Sequence, residues 1–150
     1  MAGVAKLAQE LGHDVSGSDK NIFPPMDKQL DELGINIIDS TKEKEPPRNT
    51  DLVIIGNGMV RGTPIIEYIL ENHLNYCSGP DWISNNILQN KKNIVVTGTH
   101  GKTTVASLIA WILNDNGIDA GFLIGGIPSN FGCSARIGQS EYFVIEGDEY

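Results

Sequence analysis

The chain has 150 residues, of which 40% are hydrophobic and 20% are charged, a composition typical of a globular protein and not of a disordered one. The formal net charge is −8 and no basic cluster is present, so we expect neither nucleic acid nor an anionic membrane as a partner. Two cysteines give neither a disulfide framework nor metal-ligand spacing, and no apolar run approaches the ~18 residues that cross a bilayer. We therefore expect a cytoplasmic protein.

Helical and strand-like runs alternate along the first 90 residues. Val4, Leu7, Ala8 and Leu11 follow helical spacing, and Gly12 stands where a helix C-cap belongs. The elements predicted after this helix are strands at 14–18, 35–38, 52–56 and 75–78, and helices at 25–33, 64–71 and 80–89. This alternation indicates an α/β fold with a mostly parallel sheet and helices on its faces.

The pattern restarts near residue 90, where we place a boundary between a first domain, residues 1–90, and a second, residues 91–150. Ile94-Val95-Val96 is a continuous apolar strand, typical of a sheet that is buried on both faces. A glycine loop and a helix follow it. Two further strands, at 122–124 and 142–145, flank a stretch that is rich in Gly, Pro, Ser and Asn.

The helix after the glycine loop carries large apolar residues at helical spacing. We expect one buried face made of Val105, Leu108, Ile109, Ile112 and Leu113. The two tryptophans, Trp82 and Trp111, also fall on helical faces, and we predict that both belong to the core.

Both ends of the chain interrupt this pattern. The first helix has no N-cap and no strand before it, and the last residues stop just after a strand. We therefore expect a fragment, truncated at the N-terminus of the first domain and at the C-terminus of the second.

The segment Gly98-Thr99-His100-Gly101-Lys102-Thr103-Thr104 has the features of a phosphate-binding loop. Its glycines let backbone N–H groups turn toward phosphates, and the helix that follows adds the positive end of its dipole. Lys102 can reach the β- and γ-phosphate oxygens of ATP, and the Thr103 hydroxyl can ligate Mg²⁺. The loop departs from the pattern G-x-x-x-x-G-K-[ST], because Val96 occupies the position of the first glycine and the extra glycine is Gly98.

Carboxylates at strand ends provide two further candidates. The strand at 142–145 delivers Glu146, which can hold Mg²⁺ between the β- and γ-phosphates. Asp148 and Glu149, just beyond it, either bind metal or substrate or simply begin the next loop. Asp19 ends the strand near residue 18, where dinucleotide-binding folds place an acid that binds a ribose; a solvated turn residue explains it equally well.

With these segments in place, the chain resembles the Mur ligase family, the ATP-dependent amino-acid ligases of bacterial peptidoglycan. The loop form G-T-x-G-K-[ST] fits residues 98–103 at every position, and His100 looks like the branch that acts on free UDP-N-acetylmuramate. Several stretches are similar to members of that branch that add a tripeptide: Gly17-Ser18-Asp19, Phe23-Pro24-Pro25-Met26, Val53-Ile54-Ile55-Gly56-Asn57-Gly58-Met59, Arg61-Gly62-Thr63-Pro64, Ser78-Gly79-Pro80-Asp81-Trp82, Gly125-Gly126-Ile127-Pro128-Ser129-Asn130-Phe131, Ser134-Ala135-Arg136 and Phe143-Val144-Ile145-Glu146-Gly147-Asp148-Glu149-Tyr150. Gly58 and Gly147 stand where we expect alanines.

The resemblance implies a Rossmann-like UDP-binding domain without its first strand, followed by the start of a P-loop ATPase domain. It implies a ligase that uses ATP and Mg²⁺ to join L-Ala-γ-D-Glu-meso-diaminopimelate to UDP-N-acetylmuramate through an acyl phosphate, in peptidoglycan recycling. Lys102 and Glu146 would be catalytic, and Thr103 and Glu146 would bind the metal. The residues that would contact the sugar nucleotide are Asp19, Asn57, Asn130, Ser134 and Arg136. Because the family has further domains, we expect the isolated chain not to catalyse ligation.

Three alternatives remain open from the sequence. The first is a ligase that adds L-alanine to UDP-N-acetylmuramate by the same first step. The second is a non-catalytic nucleotide-binding module that uses the phosphate loop as a switch. The third, a dinucleotide-dependent oxidoreductase built on the first domain, leaves the phosphate loop unexplained.

Overall fold

The computed structural model describes residues 1–19, 22–39 and 44–147. The α-helices in these ranges are α1 (Ala2–Glu10), α2 (Met26–Glu32), α3 (Pro64–Glu71), α4 (Gly79–Asn86) and α5 (Lys102–Asp115), and a short 3-10 helix spans Leu88–Asn90. The strands are β1 (Ser16–Asp19), β2 (Asn36–Asp39), β3 (Val53–Ile55), β4 (Tyr76–Ser78), β5 (Lys92–Val96), β6 (Gly121–Leu123), β7 (Ala135–Arg136) and β8 (Tyr142–Glu146). None of the described helices is long and apolar enough to cross a bilayer.

Three sheets contain these strands. β1 pairs with β2 and β3 pairs with β4, both in parallel, and a four-stranded sheet has the order β5-β8-β6-β7. In the larger sheet β5, β8 and β6 run parallel, and the two-residue β7 runs antiparallel to β6. The predicted α/β class with parallel sheets is confirmed. The strand β7 was missed, because its two residues lie in a stretch whose composition is typical of a loop.

The interior strands of the four-stranded sheet are β8 and β6, and β5 lies at one edge. Phe143 and Val144 of β8 are fully buried, whereas Val95 of β5 is 56% exposed. The prediction that β5 is buried on both faces is therefore wrong. The reason is its place in the sheet, since among the described strands β5 pairs with β8 alone and forms an edge.

Small residues on α5 face the sheet. Ala106 and Ala110 are fully buried and pack with Phe122 and Val144, and Ile109 and Leu113 are partly buried against the same cluster. The predicted single buried face is therefore wrong in part. Three of its members, Val105, Leu108 and Ile112, are about half exposed.

The two tryptophans differ in the same way. Trp82 of α4 is 4% exposed, so its assignment to the core is confirmed. Trp111 of α5 is 44% exposed, and its assignment to the core is wrong. Hydrophobic spacing shows that a helix has an apolar face, but it does not show whether that face packs against the sheet or remains partly exposed to solvent.

One hydrophobic cluster joins elements from both sides of residue 90. It buries side chains from α1, α4 and its C-cap together with side chains of β7 and β8: Val4, Leu7, Ala8, Trp82, Ile83, Ile87, Ala135 and Phe143. The helix α1 thus packs against the sheet that carries the phosphate loop. A separate cluster packs Ile65, Ile66 and Ile69 of α3 on β3.

Candidate functional site

The loop between β5 and α5 has the backbone geometry of an anion site. Gly98 has φ +139° and Gly101 has φ +78°, conformations that residues with a side chain rarely adopt. Gly101 is the N-cap of α5, and in this described segment no side chain caps the helix and no acid stands in its first turn. The N–H groups of that turn are therefore open to an external anion.

The side chain of Lys102 lies over the loop. Its Nζ donates a hydrogen bond to the carbonyl oxygen of Gly98 at 2.7 Å, so the ammonium group is held against the loop. Thr99, His100 and Thr104 are exposed around it. An incoming phosphate would meet one positive charge and several N–H donors together.

Glu146 arrives beside this loop because β8 pairs in parallel with β5. The register places Val96 opposite Glu146, so both strands end at the same edge of the sheet. The Thr103 hydroxyl donates to Glu146 Oε2 at 3.2 Å, and the Gly125 N–H donates to Oε1 at 3.0 Å. The carboxylate is thereby fixed at both oxygens.

These oxygen atoms are suited to a hard divalent cation. Mg²⁺ prefers oxygen ligands and commonly takes one or two from the protein, with phosphate and water supplying the others. Thr103 and Glu146 provide a hydroxyl and a carboxylate at one point beside the phosphate loop. The residues present therefore fit Mg²⁺.

An open cavity of about 490 Å³ adjoins the phosphate loop on the side of α5. Its wall combines hydroxyl and amide groups with an apolar strip, and its lining residues are Thr103, Thr104, Ser107, Leu108, Trp111, Pro128, Ser129 and Asn130. Sequence reasoning missed most of this wall. The sequence signal for this wall is that α5 carries apolar residues on more of its circumference than the side that packs against the sheet.

The residues predicted to contact the sugar nucleotide from 130 to 136 are placed differently from one another. Asn130 is exposed and lines the cavity. Ser134 is 1% exposed, and its N–H donates to Gln29 Oε1 at 2.9 Å.

Arg136 is bound within the fold. Its Nη2 contacts Asp119 Oδ1 at 3.0 Å, its Nε donates to the carbonyl oxygen of Ala120 at 3.1 Å, and its guanidinium lies over the Phe131 ring. Arg136 therefore links Phe131 to residues 119 and 120, and it does not line the cavity.

The candidates in the first 90 residues lie at carboxyl ends of parallel strands. Asp19 is the last residue of β1, and Asn57 follows β3; both are exposed. The strands β1 and β3 belong to two different two-stranded sheets. Asp148 and Glu149 lie outside the described residues.

The loop that carries Asn57 is held by an ion pair. Arg61 donates to both carboxylate oxygens of Glu67, at 2.9 and 3.0 Å, and the Gly62 N–H donates to the same carboxylate at 2.6 Å. The hydrogen bonds from Arg61 and Gly62 lower the pKa of Glu67. This network fixes the end of the loop against the first turn of α3.

Comparison with known protein families matches almost the whole chain. A model described as the Mur ligase family, catalytic domain, matches residues 1–91, and a model of the Mur ligase middle domain matches residues 96–149.

Individual relatives agree with these models. The chain is 50% identical over 150 residues to UDP-N-acetylmuramate–L-alanyl-γ-D-glutamyl-meso-2,6-diaminoheptandioate ligase of Haemophilus influenzae. It is 32% identical over 149 residues to UDP-N-acetylmuramate–L-alanine ligase of Hydrogenovibrio crunogenus. The chain spans about a third of the length of these relatives, 33% and 32% respectively.

A solved structure shares the fold. The crystal structure of UDP-N-acetylmuramate:L-alanyl-γ-D-glutamyl-meso-diaminopimelate ligase from Neisseria meningitides superposes with a TM-score of 0.91 at 44% identity. The alignment covers all of this chain and 49% of that one. The chain belongs to the Mur ligase family.

Proposed function

We propose that this member of the Mur ligase family binds ATP, Mg²⁺ and UDP-N-acetylmuramate as part of a ligase of peptidoglycan recycling. The ligase joins the tripeptide L-Ala-γ-D-Glu-meso-diaminopimelate to UDP-N-acetylmuramate. The observation that carries the proposal is the hydrogen bond between Thr103 and Glu146 beside the open N-terminus of α5. The choice of the tripeptide is supported by 50% identity to a relative named for it, against 32% to one named for L-alanine.

The reaction follows from the chemistry of a carboxylate and ATP. The lactoyl carboxylate of UDP-N-acetylmuramate attacks the γ-phosphorus, the bond to the β-phosphate oxygen breaks, and ADP leaves. The amine of the tripeptide then attacks the acyl carbon, and inorganic phosphate leaves as the amide forms. Catalysis of phosphoryl transfer depends mainly on positioning and on stabilising the charge of the transferred group.

Each residue of the site has a role in that stabilisation. Lys102 neutralises charge on the γ-phosphoryl oxygens after leaving the Gly98 carbonyl, and the N–H groups of the α5 N-terminus hold the adjacent phosphate. Thr103 and Glu146 would hold Mg²⁺, which supplies charge neutralisation at the β- and γ-phosphates. The Gly125 N–H orients the Glu146 carboxylate so that its second oxygen faces Thr103.

The sugar nucleotide is assigned to residues 1–90 and to the cavity beside α5, and ATP to the phosphate loop within residues 91–150. Asp19 and Asn57 would contact the UDP group, since ligands of parallel α/β sheets bind beyond the carboxyl ends of the strands. The side chain of Met1, at the start of α1, lies against Gly56 and Gly79, which follow β3 and β4. Asn130 would contact the sugar, and Ser134 and Arg136 would hold the loop that carries Asn130.

Because both ATP and the UDP-sugar are cytoplasmic metabolites, we assign the protein to the cytoplasm.

The proposal is tested by ADP release from the complete gene product with Mg²⁺ and UDP-N-acetylmuramate. We expect the tripeptide to stimulate release and L-alanine not to. In Glu146→Gln, which keeps the size of the side chain but removes its charge, turnover should fall by about 10²–10³-fold.

Two results would contradict the proposal. Stimulation by L-alanine instead of the tripeptide would assign the chain to the alternative ligase. ATP binding by a protein that shows no dependence on UDP-N-acetylmuramate in any assay would favour the non-catalytic module.

A further inference from the structure

Two side chains from the first 90 residues reach the edge strand β7. Gln29 of α2 accepts a hydrogen bond from the Ser134 N–H at 2.9 Å, and Glu10 of α1 accepts one from the Ile137 N–H at 2.8 Å. These two N–H groups flank β7, which pairs with β6 alone among the described strands. Side chains of α1 and α2 thus hold the backbone on both sides of β7.

The loop from 125 to 134 connects this edge to the phosphate site. At its start, the Gly125 N–H donates to Glu146 Oε1 at 3.0 Å. The next residue, Gly126, lies so close to Thr103 that an added Cβ would be 3.2 Å from the threonine methyl carbon. Asn130, midway along the loop, lines the cavity. The loop is therefore held at one end by the metal-site carboxylate and at the other end by Gln29.

The two polar atoms of the buried Gln29 side chain differ in their hydrogen bonding. The residue is 5% exposed, and its Nε2 has no hydrogen-bond partner in the described part of the chain. A buried amide whose N–H donors are unpaired lowers the free energy of unfolding, so stability alone does not explain why this residue is buried. Its side-chain carbonyl oxygen, by contrast, accepts a hydrogen bond from the N–H of Ser134, the last residue of the loop.

We propose that Gln29 and Glu10 are positioning residues that couple the sugar-nucleotide side of the molecule to the ATP side through the 125–134 loop. This inference rests on the proposed function, since it requires that both ligands bind. Any shift of α1 and α2 when the sugar nucleotide binds is transmitted to Ser134 and Ile137, and through the loop to Gly125 and the Glu146 carboxylate. By linkage, each ligand then changes the affinity for the other by the same factor.

The test measures the affinity of the complete gene product for a non-hydrolysable ATP analogue with Mg²⁺, with and without saturating UDP-N-acetylmuramate. We expect the sugar nucleotide to strengthen analogue binding by about tenfold. In Gln29→Met this ratio should fall to within about twofold of one. The melting temperature should change little, because the variant removes one unpaired group, Nε2, and leaves another, the Ser134 N–H.

Three further substitutions, at two residues, separate positioning from structural support. Gln9→Met is the matched control: the Gln9 side-chain amide also makes a hydrogen bond to the backbone, donating to the Leu33 carbonyl at 2.8 Å, but it links α1 to the end of α2 and not to β7. It should keep the full ratio. Glu10→Gln keeps an acceptor for the Ile137 N–H and should retain most of the ratio, whereas Glu10→Met should lower it.

The outcomes are distinct. A wild-type protein that binds neither ligand would overturn the proposed function, and this inference with it. A wild-type protein that binds both ligands without mutual effect, or a Gln29→Met variant with an unchanged ratio, would overturn the inference and leave the proposed function intact. Loss of the ratio in Gln9→Met as well would also overturn it, because any weakening of α1 and α2 would then suffice.

Discussion

Two strand–loop–helix units of this molecule share one topology but differ at the helix start. In the first unit β3 leads through residues 56–63 into α3, and in the second β5 leads through residues 97–101 into α5. The helix α3 begins with Pro64, which has no N–H, and carries Glu67 in its first turn. The helix α5 begins with Lys102 and, within the same described segment, has no acid in that turn.

The difference teaches that a parallel βα turn is not by itself an anion site. No side chain caps α3 either, but Pro64 removes one N–H group, and the Glu67 carboxylate, held by the Gly62 N–H and Arg61, places a negative charge at the helix start. In the α5 unit the equivalent donors are open and a lysine lies among them. The residues of the first turn, and not the topology, decide whether the helix dipole is available to a phosphate.

The largest expected effect comes from removing the cation of the α5 unit. Lys102→Met should lower turnover by about 10²–10³-fold, since the charge that stabilises the transferred phosphoryl group is lost. Lys92→Met, at the opposite end of β5, removes an exposed ion pair with Glu141 and should leave turnover unchanged. Steady-state ADP release measures both. Equal losses in the two variants would show that the effect is one of general charge.

A second substitution compares how tightly the two units are packed. An added Cβ at Gly147 would lie 2.9 Å from the Thr97 methyl carbon, whereas one at Gly58 would meet nothing within 4 Å. Gly147→Ala should therefore lower the free energy of unfolding by about 1 kcal/mol or more. Thr97→Ala in the same chain should restore most of the loss, and Gly58→Ala should be near neutral. Urea unfolding measures all of them, and a loss that persists in the double variant would contradict the steric explanation.

A third substitution makes the α5 unit resemble the α3 unit. Val105 is half exposed and occupies the same helical position in α5 as Glu67 does in α3. Val105→Glu should weaken ATP binding about tenfold, because a carboxylate in the first turn competes with phosphate for the helix N-terminus. Val105→Gln is the uncharged control and should bind ATP normally. Titration of a fluorescent ATP analogue compares them; similar affinities for both variants would refute the electrostatic reason.

The smallest expected effect is a pH dependence in the α3 unit. Hydrogen bonds from Arg61 and Gly62 lower the pKa of Glu67 below its ordinary value, so its contribution to stability is complete above that value. The contribution is lost as the pH falls through the lowered pKa of the folded state. Glu67→Gln should therefore be slightly less stable than the wild type near neutral pH, and the difference should shrink in acid. Thermal unfolding at several pH values tests this, and a constant difference would argue against it.

The elements that sequence predicted best are those whose signals are local. Gly98, Gly101 and Lys102 predict a phosphate-binding loop without reference to any other segment, and Glu146 directly follows an apolar strand. Their proximity follows from parallel pairing, because neighbouring parallel strands end at one edge. The bounds of α3 and the glycine that ends α1 were also predicted correctly.

What sequence could not give depends on contacts between distant segments. The hydrogen bond from Ser134 to Gln29 joins residues that are 105 positions apart, and no periodicity records it. The same is true of Arg136, whose partners Asp119 and Ala120 hold it away from the cavity. For Trp111 the helical spacing of apolar residues was visible but ambiguous, because the side of α5 that packs against the sheet is the one that carries Ala106 and Ala110.

Those alanines have a consequence for how the site could evolve. Only methyl groups at 106 and 110 pack against Phe122 and Val144, so α5 can lie close to the sheet. A bulkier residue at 106 would tilt the helix outward, and the Thr103 hydroxyl, less than one turn away, would retreat from Glu146. The spacing of the two residues proposed to bind the metal therefore depends on core volume, so a change in affinity can begin at position 106, which is not proposed to contact any ligand.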